Sequence, residues 1–515
     1  MRLKSKSMGF DFDSETRRRL GYRLIDQIDS FYASLPDRKV QLPLEQRSYG
    51  QLHHPLPENS EDPERVLDEL CREMVEKGFH VPSANYFGLM NPTPTYMGVL
   101  AEALVAGLNP QLATLARSQL ASKIELETVR WIGERVGWPG DFNGTFTSGG
   151  NEANFSGLAL ALAAKFPDAV EEGVAAIGRQ PVLYASAESH HSLDKSAGLL
   201  GIGRKALRRV AVNPAAQLDP GKLEQAIAED LAAGRRPFCV VATAGTTNSG
   251  TVDDLIAMSS ICRRHQLWLH VDGAYGGVAI FSDRHRALVN GIERADSLTI
   301  DPHKWMAMPF AAGVILTCHP EILQRAFSVS APYMPKAAGA QSPDNSRIST
   351  QWTRRMNSLK LWLTLRVHGR QAYEELIDRQ LRLAHSFAEW VTASEDFELA
   401  VPPTLPIVTF RLRSMEDGRH RPSQLERAGR PSSTSPPASR TSQQLAADHD
   451  WIVEEVTRDG SRWISETKVR GESVLRMMVI SYLTEERHLQ SLESALTIAA
   501  KQLARRPIDH IEVKA

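Results

Sequence analysis

The chain has 515 residues, far more than one small domain needs, so two or three packed units are expected. Its 42% hydrophobic and 23% charged residues are ordinary for a globular protein, and its formal net charge is −1. This balance, without a dense basic run, excludes a general nucleic-acid binder and a protein anchored to membranes by surface charge.

Neither a membrane span nor a secretory signal is predicted. No run of about 18 apolar residues occurs, and no apolar core follows Met1. The four cysteines are scattered without CxxC or metal-like spacing, so we interpret them as free thiols in a reducing compartment. These features predict a cytoplasmic, enzyme-sized protein.

The N-terminal part shows helical patterns, broken by a polar, proline-rich loop at residues 42–63 and resumed at 65–77. Residues 86–94 then form an apolar stretch whose glycine and prolines exclude regular structure. Such a stretch either packs into a core or lines a pocket. Residues 97–108 and 120–136 predict two further helices.

From about residue 140, short apolar runs alternate with amphipathic ones. Continuous apolar strands separated by helices predict a largely parallel α/β sheet with both faces covered. Ligands of such sheets bind at the carboxyl ends of the strands. The predicted strands cover residues 182–186, 238–244, 267–271, 297–300 and 314–317, with helices at 222–233 and 254–264 between them.

The C-terminal part predicts a second, smaller α/β unit. A long helix is expected beyond about residue 370, where apolar residues recur at helical spacing. Residues 407–412 alternate as a strand does. Residues 416–446 are rich in Ser, Pro, Arg and Gln with almost no apolar content, and we interpret them as a disordered insertion in this unit.

Residues 297–305, with the sequence SLTIDPHKW, deliver Lys304 from the end of a buried strand. A desolvated lysine amine can attack a carbonyl and form a Schiff base. The alternative is a strand-end lysine whose ammonium reaches solvent. Residues 147–154, TSGGNEAN, place Ser148 and Gly149 in a strand–turn–helix arrangement, which is either an anion site or an ordinary helix cap.

Three further strand ends carry polar residues. His190 follows one strand and could stack on a planar ligand or move protons near neutral pH. Thr246 follows another, in a turn for which Asp253 is a plausible cap. Asp272 ends a third beside the small residues Gly273 and Ala274, where it either caps a turn or meets a protonated pyridine nitrogen.

These features together point to pyridoxal phosphate. The turn suits its phosphate, the small residues leave room for its flat ring, the acid suits its ring nitrogen and the lysine suits its aldehyde. The motifs TSGGNEAN, SHHS, GTTNSGTVD, HVDGAYGG and DPHKW occur in the order typical of one family. Between about residues 86 and 369 the chain resembles the group II pyridoxal-phosphate amino-acid decarboxylases, which include aromatic L-amino-acid, tyrosine, histidine and glutamate decarboxylases.

The resemblance implies a role for each matched residue. Lys304 would bind the cofactor covalently, Asp272 would pair with its pyridine nitrogen, and Ala274 would pack on one face of its ring. His190 would stack on the other face. The phosphate would be held by Ser148 and Gly149 with His303 at its edge, and Thr246 would lie near the ring. Asp301 stands where many relatives carry asparagine.

Tyr333 matches the family tyrosine that protonates the substrate carbon after carbon dioxide leaves, within a loop that can exclude water on closing. Arg354 and Arg355 match a basic pair near the family's active site, without showing which faces inward. Relatives that produce aldehydes tend to replace the loop tyrosine with phenylalanine or the stacking histidine with asparagine. Because Tyr333 and His190 are both present, simple decarboxylation is favoured.

The resemblance also implies the architecture, which is the pyridoxal-phosphate-dependent transferase fold, aspartate aminotransferase-like, of fold type I. We expect an N-terminal helical segment at 1–95 that wraps a partner in a homodimer. A large cofactor-binding α/β domain would follow at 96–370, and a small C-terminal α/β domain at 371–515. The expected reaction converts an L-amino acid to a primary amine and carbon dioxide.

The side chain of the substrate is less defined by the sequence. Leu89 and Met90 stand where aromatic decarboxylases often carry aromatics, yet no basic pair in that segment suits glutamate. An aromatic or other uncharged side chain is therefore expected. The alternatives are a decarboxylation-dependent aldehyde synthase and a decarboxylase of acidic amino acids.

Overall fold

The computed structural model describes residues 10–47, 55–329, 344–413 and 441–506. The helices are α1 (Ser14–Ser34), α2 (Pro63–Lys77), α3 (Tyr96–Leu108), α4 (Gln119–Val136), α5 (Gly150–Lys165), α6 (Ala169–Glu172), α7 (Ser192–Leu199), α8 (Pro220–Ala232), α9 (Leu255–His265), α10 (Pro320–Phe327), α11 (Ser358–Ala393), α12 (Ser442–Thr457) and α13 (Glu486–Leu503). The strands are β1 (Asn143–Thr147), β2 (Pro181–Ser186), β3 (Leu207–Val210), β4 (Arg236–Thr243), β5 (Trp268–Asp272), β6 (Ser297–Ile300), β7 (Gly313–Thr317), β8 (Phe397–Leu399), β9 (Ile407–Leu412), β10 (Ser465–Val469) and β11 (Glu472–Met478).

A seven-stranded sheet, in the order β1-β7-β6-β5-β4-β2-β3, forms the centre of the molecule. The strands from β6 to β3 run parallel, while β7 is antiparallel to both of its neighbours. Every residue of β2, β5, β6 and β7 is buried, because helices cover both faces. The mostly parallel sheet predicted from the continuous apolar runs is confirmed.

A second sheet, in the order β10-β11-β9-β8, is antiparallel throughout. It shares an apolar core with the C-terminal part of α11 and with α12 and α13, centred on Phe387, Phe397 and Phe410. The alternating pattern at residues 407–412 corresponds to β9. Among the described residues, no helix is both long enough and apolar enough to cross a membrane.

Helix α11 begins at Ser358, about twelve residues before the helix expected from the sequence. Its first part buries Leu359 and Leu361, and it continues through a kink at Gly369, where the backbone is not helical (φ 73°, ψ 171°). A glycine adopts this conformation without a Cβ clash. The kink shifts the helical spacing of the apolar residues after Gly369 relative to those before it. The kink lies beside the domain boundary expected at 370–371, which stays a prediction.

Of the predicted insertion at 416–446, residues 414–440 lie outside the described part of the chain, and only residues 441–446 can be compared with the prediction. These residues start a helix and are not a disordered loop, so that part of the prediction is wrong. The Thr441 hydroxyl accepts a hydrogen bond from the Gln444 amide at 3.2 Å, and the Gln444 side chain accepts from the Thr441 amide at 2.9 Å. This reciprocal capping box starts α12 despite the polar composition.

One buried ion pair joins α4 to the segment before α11. Arg354 and Glu125 are 1% and 2% exposed, and Nη1 of the arginine lies 2.8 Å from Oε2 of the carboxylate. The neighbouring Arg355 is half exposed and pairs with Glu102 on the surface. Removing one member of a buried pair leaves the other charged and desolvated, whereas an exposed pair contributes little.

We therefore expect Arg354→Met to lower the free energy of unfolding by about 3–5 kcal/mol, because Glu125 stays buried without its partner. The matched change Arg355→Met should lower it by less than about 1 kcal/mol. Urea unfolding followed by fluorescence and by circular dichroism measures both. Equal losses in the two variants would contradict this account of the pair.

Candidate active site

A cavity of about 380 Å³ opens where β4, β5 and β6 end and α5 begins. The carboxyl ends of parallel strands meet at one edge of a sheet, so side chains far apart in the sequence converge here. The lining residues are Met90, Ser148, Gly149, Gly150, Asn151, Asn154, His190, Thr243, Gly245, Thr247, Asp272, Ala274, Tyr275, Asp301, His303, Lys304 and Phe310.

Lys304 lies on this wall, in a turn that follows β6. Its side chain is 23% exposed, and its Nζ forms an ion pair with Asp301 Oδ2 at 3.1 Å. Asp301 is almost fully buried, and its Oδ2 also lies 3.6 Å from His303 Nε2. The ion pair with Lys304 offsets part of the cost of burying that carboxylate, and it keeps the lysine amine at the cavity.

Asp272 ends β5 and is 6% exposed. Its Oδ2 accepts a hydrogen bond from Asn154 Nδ2 at 2.8 Å, and its Oδ1 accepts from the Ala274 amide at 3.2 Å. The two hydrogen bonds fix the orientation of both carboxylate oxygens. A cation or an N–H group entering the cavity therefore meets a pre-oriented negative charge.

The Asn154 amide is itself fixed by His270, two residues before Asp272 on β5. His270 Nε2 lies 3.1 Å from Asn154 Oδ1, and His270 Nδ1 lies 2.8 Å from Ser297 Oγ. Burial lowers the pKa of His270 to about 4, so the ring is neutral near pH 7. Because an amide oxygen only accepts, Nε2 carries the proton, and Nδ1 accepts from the serine hydroxyl.

The turn between β1 and α5 brings backbone unusually close to the cavity. A Cβ added at Gly150 would lie 2.6 Å from Asp301 Oδ2, and one at Gly149 would lie 3.1 Å from His303 Cε1. No larger residue fits at Gly150 without a shift. The first amides of α5 and its positive dipole end face the same place, which suits an anion such as a phosphate.

Ser148 lines the cavity, but its amide and hydroxyl donate to Glu152 and not into the cavity. Its amide and its hydroxyl donate to Glu152 Oε2 at 2.7 and 2.8 Å. Glu152 also accepts from Thr350 and Gln351. Burial alone would raise the pKa of Glu152, but the hydrogen bonds that it accepts outweigh burial and lower the pKa. A phosphate can recruit the Ser148 hydroxyl only by drawing it away from Glu152.

Two histidines flank the cavity. The ring of His190 lines it, and its Nδ1 accepts from the Ser192 amide at 3.1 Å, which leaves Nε2 to face a ligand. Desolvation by the walls lowers the pKa of His190 against an opposing attraction from Asp272. His303 lies beside the glycine turn, where burial lowers its pKa and the Ala312 amide donates to its Nδ1 at 3.2 Å.

Three predicted residues are not brought to the cavity wall. The hydroxyl of Thr246 is buried in its own turn, 2.8 Å from Ser249 Oγ, and the next residue, Thr247, lines the cavity instead. Neither Arg354 nor Arg355 lines it, because each is engaged by a glutamate elsewhere. Tyr333 lies outside the described residues.

Sequence reasoning missed several residues of this neighbourhood, among them Asn154, His270, Glu152 and Thr247. Asn154 and Glu152 belong to the TSGGNEAN stretch, one turn of helix from the glycines. His270 precedes Asp272 by two positions on a strand, so their side chains share a face. That spacing was a readable signal. No comparable signal separates Thr247 from Thr246.

The profile of the pyridoxal-dependent decarboxylase conserved domain matches residues 45–413, most of the chain. The chain belongs to this family. An aromatic-L-amino-acid decarboxylase from Bacillus atrophaeus is 29% identical over 501 residues, 97% of this chain and 98% of that protein. An acidic amino acid decarboxylase from Bos taurus is 32% identical over 388 residues, 74% of this chain and 72% of that protein.

Among solved structures, mouse CSAD superposes on this decarboxylase with a TM-score of 0.83 at 26% identity. The superposition covers 95% of this chain and 99% of that chain. The predicted fold type I architecture is thereby confirmed. The family also makes the protein a carboxy-lyase and identifies its cofactor as pyridoxal 5'-phosphate.

The cavity of this decarboxylase fits that cofactor. A side chain at Gly150 would clash with Asp301 and one at Gly149 would crowd His303, so backbone rather than side chains meets a ligand at this turn. Three buried polar atoms on the wall, Thr243 Oγ1, Tyr275 OH and Asp301 Oδ1, have no hydrogen-bond partner among the described residues. Unpaired buried polar atoms are costly, so a polar ligand that reaches them is favoured.

We expect Asn154→Leu to lower kcat/KM by about 10–100-fold, since it removes a hydrogen bond of about 1.5–3 kcal/mol to the charged Asp272. The control Ser192→Ala removes only the neutral partner that Asn154 Nδ2 meets at 3.1 Å, and should cost less than about fivefold.

Steady-state kinetics and the absorbance spectrum of the bound cofactor over a pH series measure the effect. A specific effect on Asp272 should change how the absorbance of the bound cofactor depends on pH. A general loss of structure would lower stability without changing that pH dependence. An unchanged spectrum and unchanged kcat/KM in Asn154→Leu would contradict the assigned role.

Proposed function

We propose that this protein decarboxylates an L-amino acid with an aromatic or other uncharged side chain, releasing carbon dioxide and a primary amine. The observation that carries the side-chain preference is the composition of the cavity wall. Among the described lining residues, Lys304 is the only lysine or arginine, while Met90, Ala274 and Phe310 are apolar. A second carboxylate on the substrate would find no free cation there.

Arg476 does not change this conclusion. It is 2% exposed and lies behind the segment that carries Met90, where its Nε and Nη1 donate to the carbonyl oxygens of Asn248 and Gly88. Burial lowers its pKa to about 10, which still leaves it charged at neutral pH. Its donors are directed at backbone, and it is absent from the described lining of the cavity.

The chain's own residues divide the work as follows. Pyridoxal phosphate, when bound, supplies an electron sink for the pair released by carbon–carbon cleavage. Asp272 would hold a proton at the pyridine nitrogen, and Asn154 and His270 keep that carboxylate oriented. Lys304 would hold the cofactor at this wall until the substrate amine takes its place, and the α5 amides would hold the phosphate.

The remaining roles concern the substrate. His190 presents Nε2 to the cavity and would stack over the cofactor ring beside the substrate carboxylate. Tyr333 would donate a proton to the α-carbon after carbon dioxide has left, as the resemblance implies. Both residues support amine formation over the aldehyde synthase alternative, in which one of them is typically replaced.

The expected products are amine and carbon dioxide in equal amounts. Lys304→Ala should lose both the bound chromophore and the activity, because no other lysine lines the described cavity. Purified enzyme loaded with cofactor is assayed against a panel of L-amino acids, with amine, aldehyde and hydrogen peroxide measured in one reaction. Dominant aldehyde and peroxide would overturn decarboxylation to the amine.

The same panel tests the side-chain preference. An aromatic or aliphatic substrate should exceed glutamate and aspartate in kcat/KM by at least about tenfold. The Bos taurus relative, an acidic amino acid decarboxylase, makes this comparison decisive. A preference for the acidic substrates would contradict the interpretation of the cavity wall.

We also propose that the protein is a homodimer in which the segment 1–95 wraps the partner. Helices α1 and α2 bury no residue within the single chain. Large apolar side chains nevertheless stand exposed on α2, with Leu70 at 53% and Met74 at 65%. Contiguous exposed apolar surface is typical of an interface, and a second copy would cover it.

Sedimentation equilibrium should give twice the chain mass for the wild type. Replacing Leu70 and Met74 by aspartate should shift the equilibrium toward monomer, because charges are disfavoured in an interface core. Leu231→Asp on α8 is the matched control, since Leu231 is also 53% exposed. A monomeric wild type would contradict the dimer, and equal dissociation in the control would contradict the place of α2 in its interface.

A further inference from the structure

A second cavity, of about 880 Å³, lies at the opposite edge of the large sheet, where β6 begins and β7 ends. None of the chemistry described above uses it. Asp296 precedes β6 on its wall, and Cys318 and His319 follow β7. Because β6 and β7 are antiparallel, the start of one meets the end of the other, and the three side chains converge.

These three side chains form a compact set of metal-ligand atoms. One carboxylate oxygen, one thiol sulfur and one imidazole nitrogen all lie within 4.8 Å of one another. A tetrahedral ion with bonds of about 2.0–2.3 Å needs ligand atoms about 3.3–3.8 Å apart. The set therefore reaches metal geometry with small side-chain adjustments.

Neighbouring groups already orient two of the three ligands, Asp296 and His319. Asp296 Oδ2 accepts from the Leu269 amide at 2.8 Å, which directs Oδ1 toward His319 Nε2, also at 2.8 Å. The His319 ring packs against Trp268 at 5.1 Å between centroids. Outer contacts of this kind hold metal ligands in place before the ion arrives.

We propose that Asp296, Cys318 and His319 bind one zinc ion, with the fourth position open to the cavity. Thiolate and imidazole ligands select zinc over magnesium or calcium, which prefer oxygen ligands alone. Three further acids, Glu293, Asp141 and Glu321, also line the cavity, together with Arg294, which lies 3.7 Å from Glu293.

Asp296 and His319 are already held together, since Asp296 Oδ1 lies 2.8 Å from His319 Nε2. An ion bound by the three ligands would tie the start of β6 to the junction of β7 and α10.

The zinc site is distinct from the cofactor cavity. Asp296 and Asp301 flank β6 and are five residue steps apart, a span of roughly 16 Å at about 3.3 Å per residue. Zinc bound here stabilises the folded chain, because it binds the native arrangement and not the unfolded one. The expected effect is on stability and not on the chemical step.

Zinc titration of the chelator-treated holoenzyme, with metal analysis after gel filtration, tests the proposal. We expect one zinc ion per chain in the wild type and a melting temperature that rises with zinc. Cys318→Ser and His319→Gln should each weaken binding by at least about 100-fold, since losing a ligand costs at least as much as losing an outer contact. Both variants should keep the cofactor spectrum and amine production.

Cys71→Ser is the matched control, because Cys71 is likewise partly exposed but lies on α2, away from the cluster. It should bind zinc as the wild type does. Equal zinc affinity in Cys318→Ser, or no zinc bound by the wild type at micromolar concentration, would overturn the proposal.

Cobalt(II) provides a measurement that needs no variant. In the wild-type holoenzyme it should give the intense visible bands of a tetrahedral ion. The weak spectrum of an octahedral ion coordinated by oxygen would overturn the assignment even if the variants fail to fold.

Discussion

The buried carboxylate of Asp272 is the constraint on which the rest of the site depends. A charge at 6% exposure persists only with donors directed at it, and Asn154 and the Ala274 amide provide them. Each donor needs its own support. The series runs from the Trp268 indole to Ser297, to His270, to Asn154 and then to the carboxylate, at 2.8–3.1 Å per step.

This series also dictates residues that carry no polar group. Helix α5 must pass close above His270 for Asn154 to reach it, and a Cβ at Gly157 would lie 2.3 Å from the imidazole. Glycine is thus required in mid-helix, where it otherwise destabilises. Burial of the whole series keeps His270 neutral, so the orientation of Asp272 does not vary over the ordinary pH range.

The sequence was sufficient where a local pattern and a general rule coincide. The apolar run 297–300 predicted β6, and the position of Lys304 just beyond it followed. Contacts between residues far apart in the chain, and the geometry of turns, could not be predicted from the sequence. Arg354 is committed to Glu125, 229 residues earlier in the chain, so its burial away from the cavity depends on the folded chain. At Gly245 (φ 101°) the backbone reverses, and only the three-dimensional turn shows that Thr247, not Thr246, faces the cavity.

Glu152 gives the phosphate turn a connection to a distant part of the chain. One carboxylate serves Ser148 on one side and Thr350 with Gln351 on the other, directly after the segment that contains Tyr333. Hydrogen bonds competing for the same oxygens make two equilibria interdependent, and such linkage is reciprocal. An anion that recruits Ser148 leaves more of Glu152 to the 350–351 segment. Occupancy of the phosphate position and the hold of Glu152 on residues 350–351 are thereby coupled through one shared acceptor.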